Sequence, residues 1–411
     1  MTDERKSNNV EQRGPLAGLR VLELSTVLAG PYCAMVLADL GADVIKVEPV
    51  EGDATRGYGP PWIGSADGVG ERMATYFLSV NRNKRSLRLD LRREEGREVA
   101  RRLVGRSDVL IENFKPGGMD RLELSEPALQ QINPGLVHLS ITGYGPDGPD
   151  AAKPGYDFVA QAVGGLMSVT GFSDEEGGRP TKLGVAITDV VTGLLGAVGV
   201  LAAIRSGVGQ RIDVSLLEST LAMLINQAQN AFATGAQPQR RGNAHPNIVP
   251  YETFATADGE IAVAVGSERQ WPRLCAALAL DDLAADPRFV DNGARVRNRD
   301  ELRPVLAERF ASQSSEHWLE LLDNVGVPSG PVNDVPAAFA QPQAVARQMR
   351  VDIEHPVLGT LPQIGLPYNL SATPASIRSA PPLLGEHADE ILAELGYSTK
   401  EVAWLRQAGV I

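Results

Sequence analysis

Aromatic residues make up only 5% of this 411-residue chain, and cysteine occurs just twice, at Cys33 and Cys275. Two cysteines provide no disulfide framework and no thiolate cluster for a metal. The five histidines (His138, His245, His317, His355 and His387) show no HxxxH or HxH spacing, which argues against zinc. Positive charge is also in deficit: 39 Lys and Arg face 51 Asp and Glu, for a formal net charge of −12. Such a chain is a poor nonspecific binder of polyanions, so neither nucleic acid nor a membrane is expected as a partner. Long hydrophobic runs are missing too. The longest, Val190–Ile204, is interrupted by Thr192 and several glycines, is shorter than a membrane span, and reads as a buried helix. The opening MTDERKSNNVEQRG is polar, lacks the apolar stretch of a secretory signal, and is expected to fray. A cytoplasmic location is expected.

What is present is an α/β pattern. The hydrophobic fraction of 43% suffices for a large core, and the length suggests two or three domains. Leu19–Leu24 reads as a strand, Gly30–Leu40 as a helix closed by Gly41, and Ala42–Glu48 as a second strand. Strand, helix and strand within about thirty residues form a βαβ unit, which implies a parallel sheet. The alternation continues through strands at Ser86–Leu91, Asp108–Glu112 and Leu136–Thr142. The first half is therefore expected to be a Rossmann-like open parallel sheet. Helices are expected at Tyr156–Met167, Asp189–Arg205 and Leu216–Thr234. After the polar linker Gln237–Asn247, an Asp258-Gly259 hairpin and several helices predict a smaller α+β domain.

A Rossmann-like sheet invites a nicotinamide reading, but the turn after the first strand is Ser25-Thr26-Val27-Leu28-Ala29-Gly30-Pro31, without the GxGxxG trio. No GxxxxGK[ST] loop and no GxSxG elbow occurs. Arg82, Lys84, Arg85, Arg88, Arg92 and Arg93 fall within twelve positions. They read either as a solvated face or as a site for phosphates, whose oxyanions suit Arg forks and Lys point charges. Asp189 opens an apolar helix. Such aspartates commonly cap the helix, and a helix N-terminus also favours the ionised carboxylate, which can act as a covalent nucleophile toward an acyl carbon.

At these residues the chain resembles the class III CoA-transferases, the family of formyl-CoA transferase and the carnitine and bile-acid CoA-transferases (CaiB/BaiF). The matching stretches run in order: PLAGLRVLEL, AGPYCAMVLADLGADVIKVE, NRNKRSLRLDL, DVLIENFKPGGMDRL, PGYDFVAQAVGG, ITDVVTG and PPLLGEHADEIL. The resemblance implies Asp189 as the catalytic nucleophile. It places CoA-contacting positions on Val27, Leu28, Ala29, Leu89, Arg92, Asn113, Phe114 and Arg121, and the pair beside the reacting acyl group on Tyr156 and Asp157. It implies acyl-CoA and small carboxylic acids as partners, with coenzyme A a substrate and no tightly bound cofactor. It also implies an interlocked homodimer, each chain with a large Rossmann-like domain from residues 1–220 and 336–411 and a small domain from 221–335.

The glycine-rich lid of formyl-CoA transferase is replaced here by Gly242-Asn243-Ala244-His245-Pro246-Asn247. That stretch is similar to succinyl-CoA-dependent members that transfer CoA to dicarboxylates such as hydroxymethylglutarate or glutarate. The Asp258-Gly259 hairpin and the GVPSGPVN loop at Gly326–Asn333 strengthen the similarity. A second carboxylate needs a partner, because desolvating it unpaired is costly. Arg240, Arg241, Asn243 and His245 are candidates, with Arg241 and His245 foremost; the alternative is that His245 and Asn243 only fix the linker turn. Two further readings stay open. An α-methylacyl-CoA racemase would need a base where Tyr156 stands, and a phenol is a poor base at neutral pH. A non-catalytic CoA-binding protein would have no need of Asp189.

Overall fold

The computed structural model of the chain describes residues 14–64 and 72–411. The polar N-terminal stretch expected to fray lies outside these residues as far as residue 13. The chain forms two compact units. One comprises Met1–Gly165, Gly184–Ile225 and Pro342–Ile411, and the other Leu166–Leu183 and Asn226–Gln341.

The first unit is built on six strands: β1 (Arg20–Glu23), β2 (Asp43–Glu48), β3 (Lys84–Arg88), β4 (Val109–Glu112), β5 (Val137–Thr142) and β6 (Gln210–Ser215). All neighbours run parallel, in the spatial order β3-β2-β1-β4-β5-β6. The parallel pairing follows from the sequence: segments such as VLIE are buried along their whole length, as strands covered on both faces must be. The order reverses between β1 and β4, and the crevice at the carboxyl ends of these strands is where such sheets bind ligands.

Two helices frame that crevice. Helix α1 (Ala29–Asp39) follows β1, and α2 (Ile187–Ser206) lies against it. The expected helix at Asp189 thus begins two residues earlier, with Ala186 as N-cap. It is also not wholly buried as expected. One face carries Gly193, Gly196, Ala197, Val200 and Ala203 into the core, while Leu194, Leu195 and Val198 stay exposed. By length and composition α2 is apolar enough to cross a membrane, but its buried glycine face packs on α1 as a core helix does. The expected helix at Leu216–Thr234 is broken at Ile225, whose φ of 31° is outside the helical range. The C-terminal segment adds a separate two-stranded antiparallel hairpin, the last strands in the sequence, at Arg350–His355 and Gly359–Ile364. Its final residues, Val410 and Ile411, are buried in the core that also holds Leu22 and Leu110.

The second unit has a three-stranded antiparallel sheet of Tyr251–Ala255, Glu260–Ala264 and Ser329–Pro331. The Asp258-Gly259 turn joins the first two strands, with the Thr256 amide donating to the Gly259 carbonyl at 2.9 Å. Trp271, Trp318, Phe254 and Phe310 fill its core.

Candidate active site

The turn from β1 into α1 lies at the crevice. Asn113, at the end of β4, holds it from the side: its Oδ1 accepts the Thr26 amide at 3.0 Å and its Nδ2 donates to the Thr26 carbonyl at 2.8 Å. Asn113 thus clamps the turn with both ends of its side-chain amide. Val27 has φ of 70°, a left-handed conformation that is strained for a β-branched residue. Here lies the place of the missing glycine trio: a valine is forced into the backbone shape that glycine takes freely. Leu28 and Ala29 are buried.

Asp189 sits in the first turn of α2. Four residues on, and hence on the same face, Gly193 lets the helix touch α1 directly. A Cβ there would lie 2.6 Å from the Ala29 carbonyl oxygen. The Asp189 helix is thus seated against the start of α1 with no side chain between them. The link is repeated at the N-cap, where Ala186 packs with Val27, Leu28, Tyr32 and Tyr76 in one apolar cluster. Asp189 makes no hydrogen bond or ion pair among the described residues, so it caps nothing. Burial, reinforced by the nearby Asp157, pushes its carboxyl up to about 7. The helix N-terminus was expected to favour the charged form, but desolvation and like charge outweigh it.

Asp157 is what orders this end of α2. It starts the short helix Asp157–Val163, and its Oδ1 accepts the Thr188 amide at 2.8 Å. Its Oδ2 accepts from Gln161 at 2.8 Å. The capping role expected of Asp189 therefore belongs to Asp157, reaching across from another helix. Tyr156, beside it, is 64% exposed and available to a ligand.

The sequence reading missed Tyr76 and Tyr58. Their rings meet edge to face at 5.6 Å. Burial and the Asp189 and Asp157 charges push the Tyr76 phenol up to about 12, so it stays a hydroxyl donor beside the two carboxylates. No spacing signal marks it, because tertiary packing alone brings it there. Gly193, by contrast, was visible in ITDVVTG as the residue one helical turn after Asp189.

The remaining CoA candidates divide. Arg121 is exposed and makes no ion pair among the described residues. Arg92 is exposed but already bonded to Asp90 at 2.7 Å. Phe114 is partly buried, its amide held by Glu112 at 2.7 Å. The Leu89 side chain is spent on the core. The basic run is neither a solvated face nor a single patch. Arg82 is buried against Asp39, Lys84 against Glu23, and Arg85 is held by Asp43, Glu390 and Glu394.

In the second unit, Arg240 is bound to Asp174 and to the Phe172 carbonyl. Asn243 donates to Thr253 at 3.0 Å, and His245 Nδ1 accepts the Asn247 amide at 3.0 Å. These three fix the linker turn. Burial and Arg299 lower the His245 pKa, leaving a neutral ring whose proton is on Nε2. Among the described residues Arg241 has only Gln239 as hydrogen-bond partner, at 3.3 Å. It faces Arg299, a residue the sequence reading passed over, whose guanidinium donates to the His245 and Pro246 carbonyls.

An open parallel sheet with its crevice turn gripped from β4, and a half-buried carboxylate on a glycine-seated helix beside it, suits acyl chemistry on a CoA ester. The comparisons agree. The chain matches the family model of CoA-transferase family III over residues 16–388. It is 44% identical to succinate–glutarate CoA-transferase of Agrobacterium fabrum, covering 93% of this chain and 96% of that one. It is 40% identical to human succinyl-CoA:glutarate CoA-transferase, with 98% and 91% covered. A crystal structure of a CaiB/BaiF family protein from Brucella suis superposes with a TM-score of 0.82 at 45% identity, over 93% of this chain and all of that one. With its sequence matched almost end to end and its fold matched by a CaiB/BaiF protein, this chain belongs to CoA-transferase family III.

Proposed function

We propose that the chain is a soluble, cytoplasmic CoA-transferase that moves CoA from succinyl-CoA to a second dicarboxylic acid, with Asp189 as the covalent nucleophile. The observation that carries this reading is Asp189 itself: a carboxylate without a partner among the described residues, one helical turn from the Gly193 contact with the crevice turn. Asp189 Oδ attacks the thioester carbon of succinyl-CoA, expelling the CoA thiolate and leaving a mixed anhydride. The thiolate attacks the aspartyl carbonyl, releasing succinate and forming an aspartyl–CoA thioester. The acceptor carboxylate attacks that thioester, expelling the CoA thiolate and forming a second mixed anhydride. The thiolate then attacks the acceptor's acyl carbon, expelling the Asp189 carboxylate. Acceptor-CoA leaves and Asp189 is regenerated, with no net proton consumed. Backbone amides at Leu28 and Ala29 are assigned to the developing oxyanion, and Arg121 and Arg92 to CoA phosphates. Coenzyme A is a substrate in this scheme, and no tightly bound cofactor is required.

Only ionised Asp189 can attack, so activity should rise with pH through about 7, the value to which its carboxyl is pushed. Asp157→Asn keeps an oxygen for the Thr188 amide but removes the like charge. Its acid limb should therefore move to lower pH. A kcat/KM profile with an unmoved limb would contradict Asp157 as a source of the raised pKa.

Dicarboxylate specificity is supported by the names of the relatives, which transfer CoA between succinate and glutarate. Arg241 is our candidate for the distal carboxylate, and the neutral His245 at most contributes its Nε2–H. Succinyl-CoA should be a much better donor than butyryl-CoA, which lacks the distal charge. Arg241→Ala should raise KM for succinyl-CoA by about ten- to a hundredfold, the equivalent of a charged hydrogen bond, and leave butyryl-CoA unaffected. Equal use of both donors by the wild type would refute the dicarboxylate reading.

The homodimer is supported by the apolar face of α2. Leu194 and Leu195 are each 41% exposed and Val198 63%, next to exposed Val159 and Val163 of a neighbouring helix. A surface of this kind calls for a cover, and a second copy of the chain is the cover we assign. Light scattering should give twice the chain mass; a monomer would contradict it.

A further inference from the structure

Beneath the crevice turn lie four charged side chains almost without solvent contact. Glu23 and Lys46 are 0% exposed, Lys84 1% and Asp53 2%. Two positive and two negative charges make the group neutral. Each ammonium has three N–H groups; each makes two hydrogen bonds and one further close ion pair. Lys46 donates to Glu23 Oε1 and to the Ser25 carbonyl, each at 2.9 Å, and pairs with Asp53 Oδ2 at 2.9 Å. Lys84 donates to the Pro31 carbonyl at 2.8 Å and to Asn81 Oδ1 at 2.9 Å, and pairs with Glu23 Oε2 at 2.9 Å. Asp53 in turn uses Oδ1 for Thr55 and, more loosely, for the Val27 amide at 3.4 Å. Its own backbone amide is fixed by Glu48 at 3.0 Å.

The network therefore holds the turn at three points: the Ser25 carbonyl, the Val27 amide and the Pro31 carbonyl. Between them lie the strained Val27 and the buried Leu28 and Ala29. Stability alone does not account for this. Burying charges in pairs roughly cancels against their desolvation, and apolar side chains of similar volume commonly do as well or better. What apolar residues cannot do is bind three backbone groups of one turn in fixed directions.

We propose that Glu23, Lys46, Asp53 and Lys84 are the positioning residues of the CoA site, holding the Ser25–Pro31 turn in the shape that receives the thioester. The inference rests on the reading that this turn contacts CoA. None of the four touches the substrate; each acts through the turn. Lys84 is the softer grip, because burial and the nearby Lys46 push it down to about 8, whereas Lys46 lies between two carboxylates.

The test removes grips without leaving a buried charge alone. Lys46→Met with Asp53→Asn loses the Ser25 contact, and Lys84→Met with Glu23→Gln loses the Pro31 contact; both keep the network neutral. Asp53→Asn alone is the exception, leaving one positive charge in excess; its single amide oxygen can still serve Thr55 and Val27 while the ion pair to Lys46 is lost. For each, folding is followed by circular dichroism and thermal melting, CoA binding by calorimetry, and kcat and KM with succinyl-CoA. The double variants, once folded, should bind CoA about tenfold or more weakly, because the turn is no longer preorganised. Asp53→Asn should weaken CoA about threefold by the same loss of order. A merely structural network would lower the melting temperature and leave CoA affinity and KM of the folded protein at wild-type values. That result in every folded variant would overturn the proposal. A wild-type protein that binds no CoA would instead overturn the functional reading on which it rests.

Discussion

Asp189→Ala should abolish CoA exchange, with a loss on the order of 10⁴-fold or more, the scale seen when a covalent nucleophile is removed. CoA binding should survive, since the crevice turn is held by Asn113 and by the charged network rather than by Asp189. Asp189→Asn should do the same to activity and also stabilise the protein. The carboxyl ionises near 4 in the unfolded chain and at about 7 in the folded one. The contribution of Asp189 to stability is therefore greatest below pH 4, falls as pH rises from about 4 to 7, and stays low above 7. Replacing the group with a neutral amide removes this loss, a gain at pH 8 of up to about 4 kcal/mol. A denaturant titration of both proteins at pH 4 and pH 8 checks it. A difference between the two proteins no larger at pH 8 than at pH 4 would mean that Asp189 is not desolvated as described.

Gly193→Ala should also lower activity strongly, although the residue carries no functional group. The new Cβ would meet the Ala29 carbonyl oxygen at 2.6 Å and the Cys33 amide nitrogen at 3.3 Å. Both are backbone, so no side chain can turn aside and the two helices must part. Overpacking of this kind costs about 1–3 kcal/mol, and a displacement of about 1 Å at a reacting group can lower the rate about 10²-fold. The loss should appear in kcat, with CoA affinity largely kept. Gly199→Ala is the control on the same helix. Its Cβ would meet the Ile212 side chain at 3.1 Å, which can rotate, so near-wild-type activity is expected. A fully active Gly193→Ala enzyme would show that the close helix contact does not place Asp189.

The parallel sheet was legible because most of its strands carry their own signal: short runs with an apolar centre, such as RVLE, DVIKVE and VLIE, alternating with helices. Asp189 was legible within ITDVVTG, but its environment was not. The expectation that it caps its helix failed because the cap comes from Asp157, 32 residues earlier, a contact no local pattern encodes. The dense basic run from Arg82 to Arg93 suggested one anion patch. Its members point to different partners because alternate strand residues face opposite sides of the sheet, and several are consumed by buried carboxylates. The Asn113 grip on the Thr26 backbone was not legible, because it joins residues 87 apart. The hairpin at Arg350–His355 and Gly359–Ile364 went unread, as did the third strand of the small sheet, because neither has a long apolar run to announce it.

The central claim is that CoA passes through a covalent bond to Asp189. The direct measurement is peptide mass spectrometry of the wild-type enzyme mixed with succinyl-CoA and quenched with hydroxylamine, which converts an aspartyl anhydride or thioester to a hydroxamate. The account predicts a hydroxamate on Asp189 that appears only when succinyl-CoA is present and is lost in Asp189→Ala. Exchange that proceeds at full rate with Asp189 unmodified, or with the hydroxamate on another residue, would contradict it.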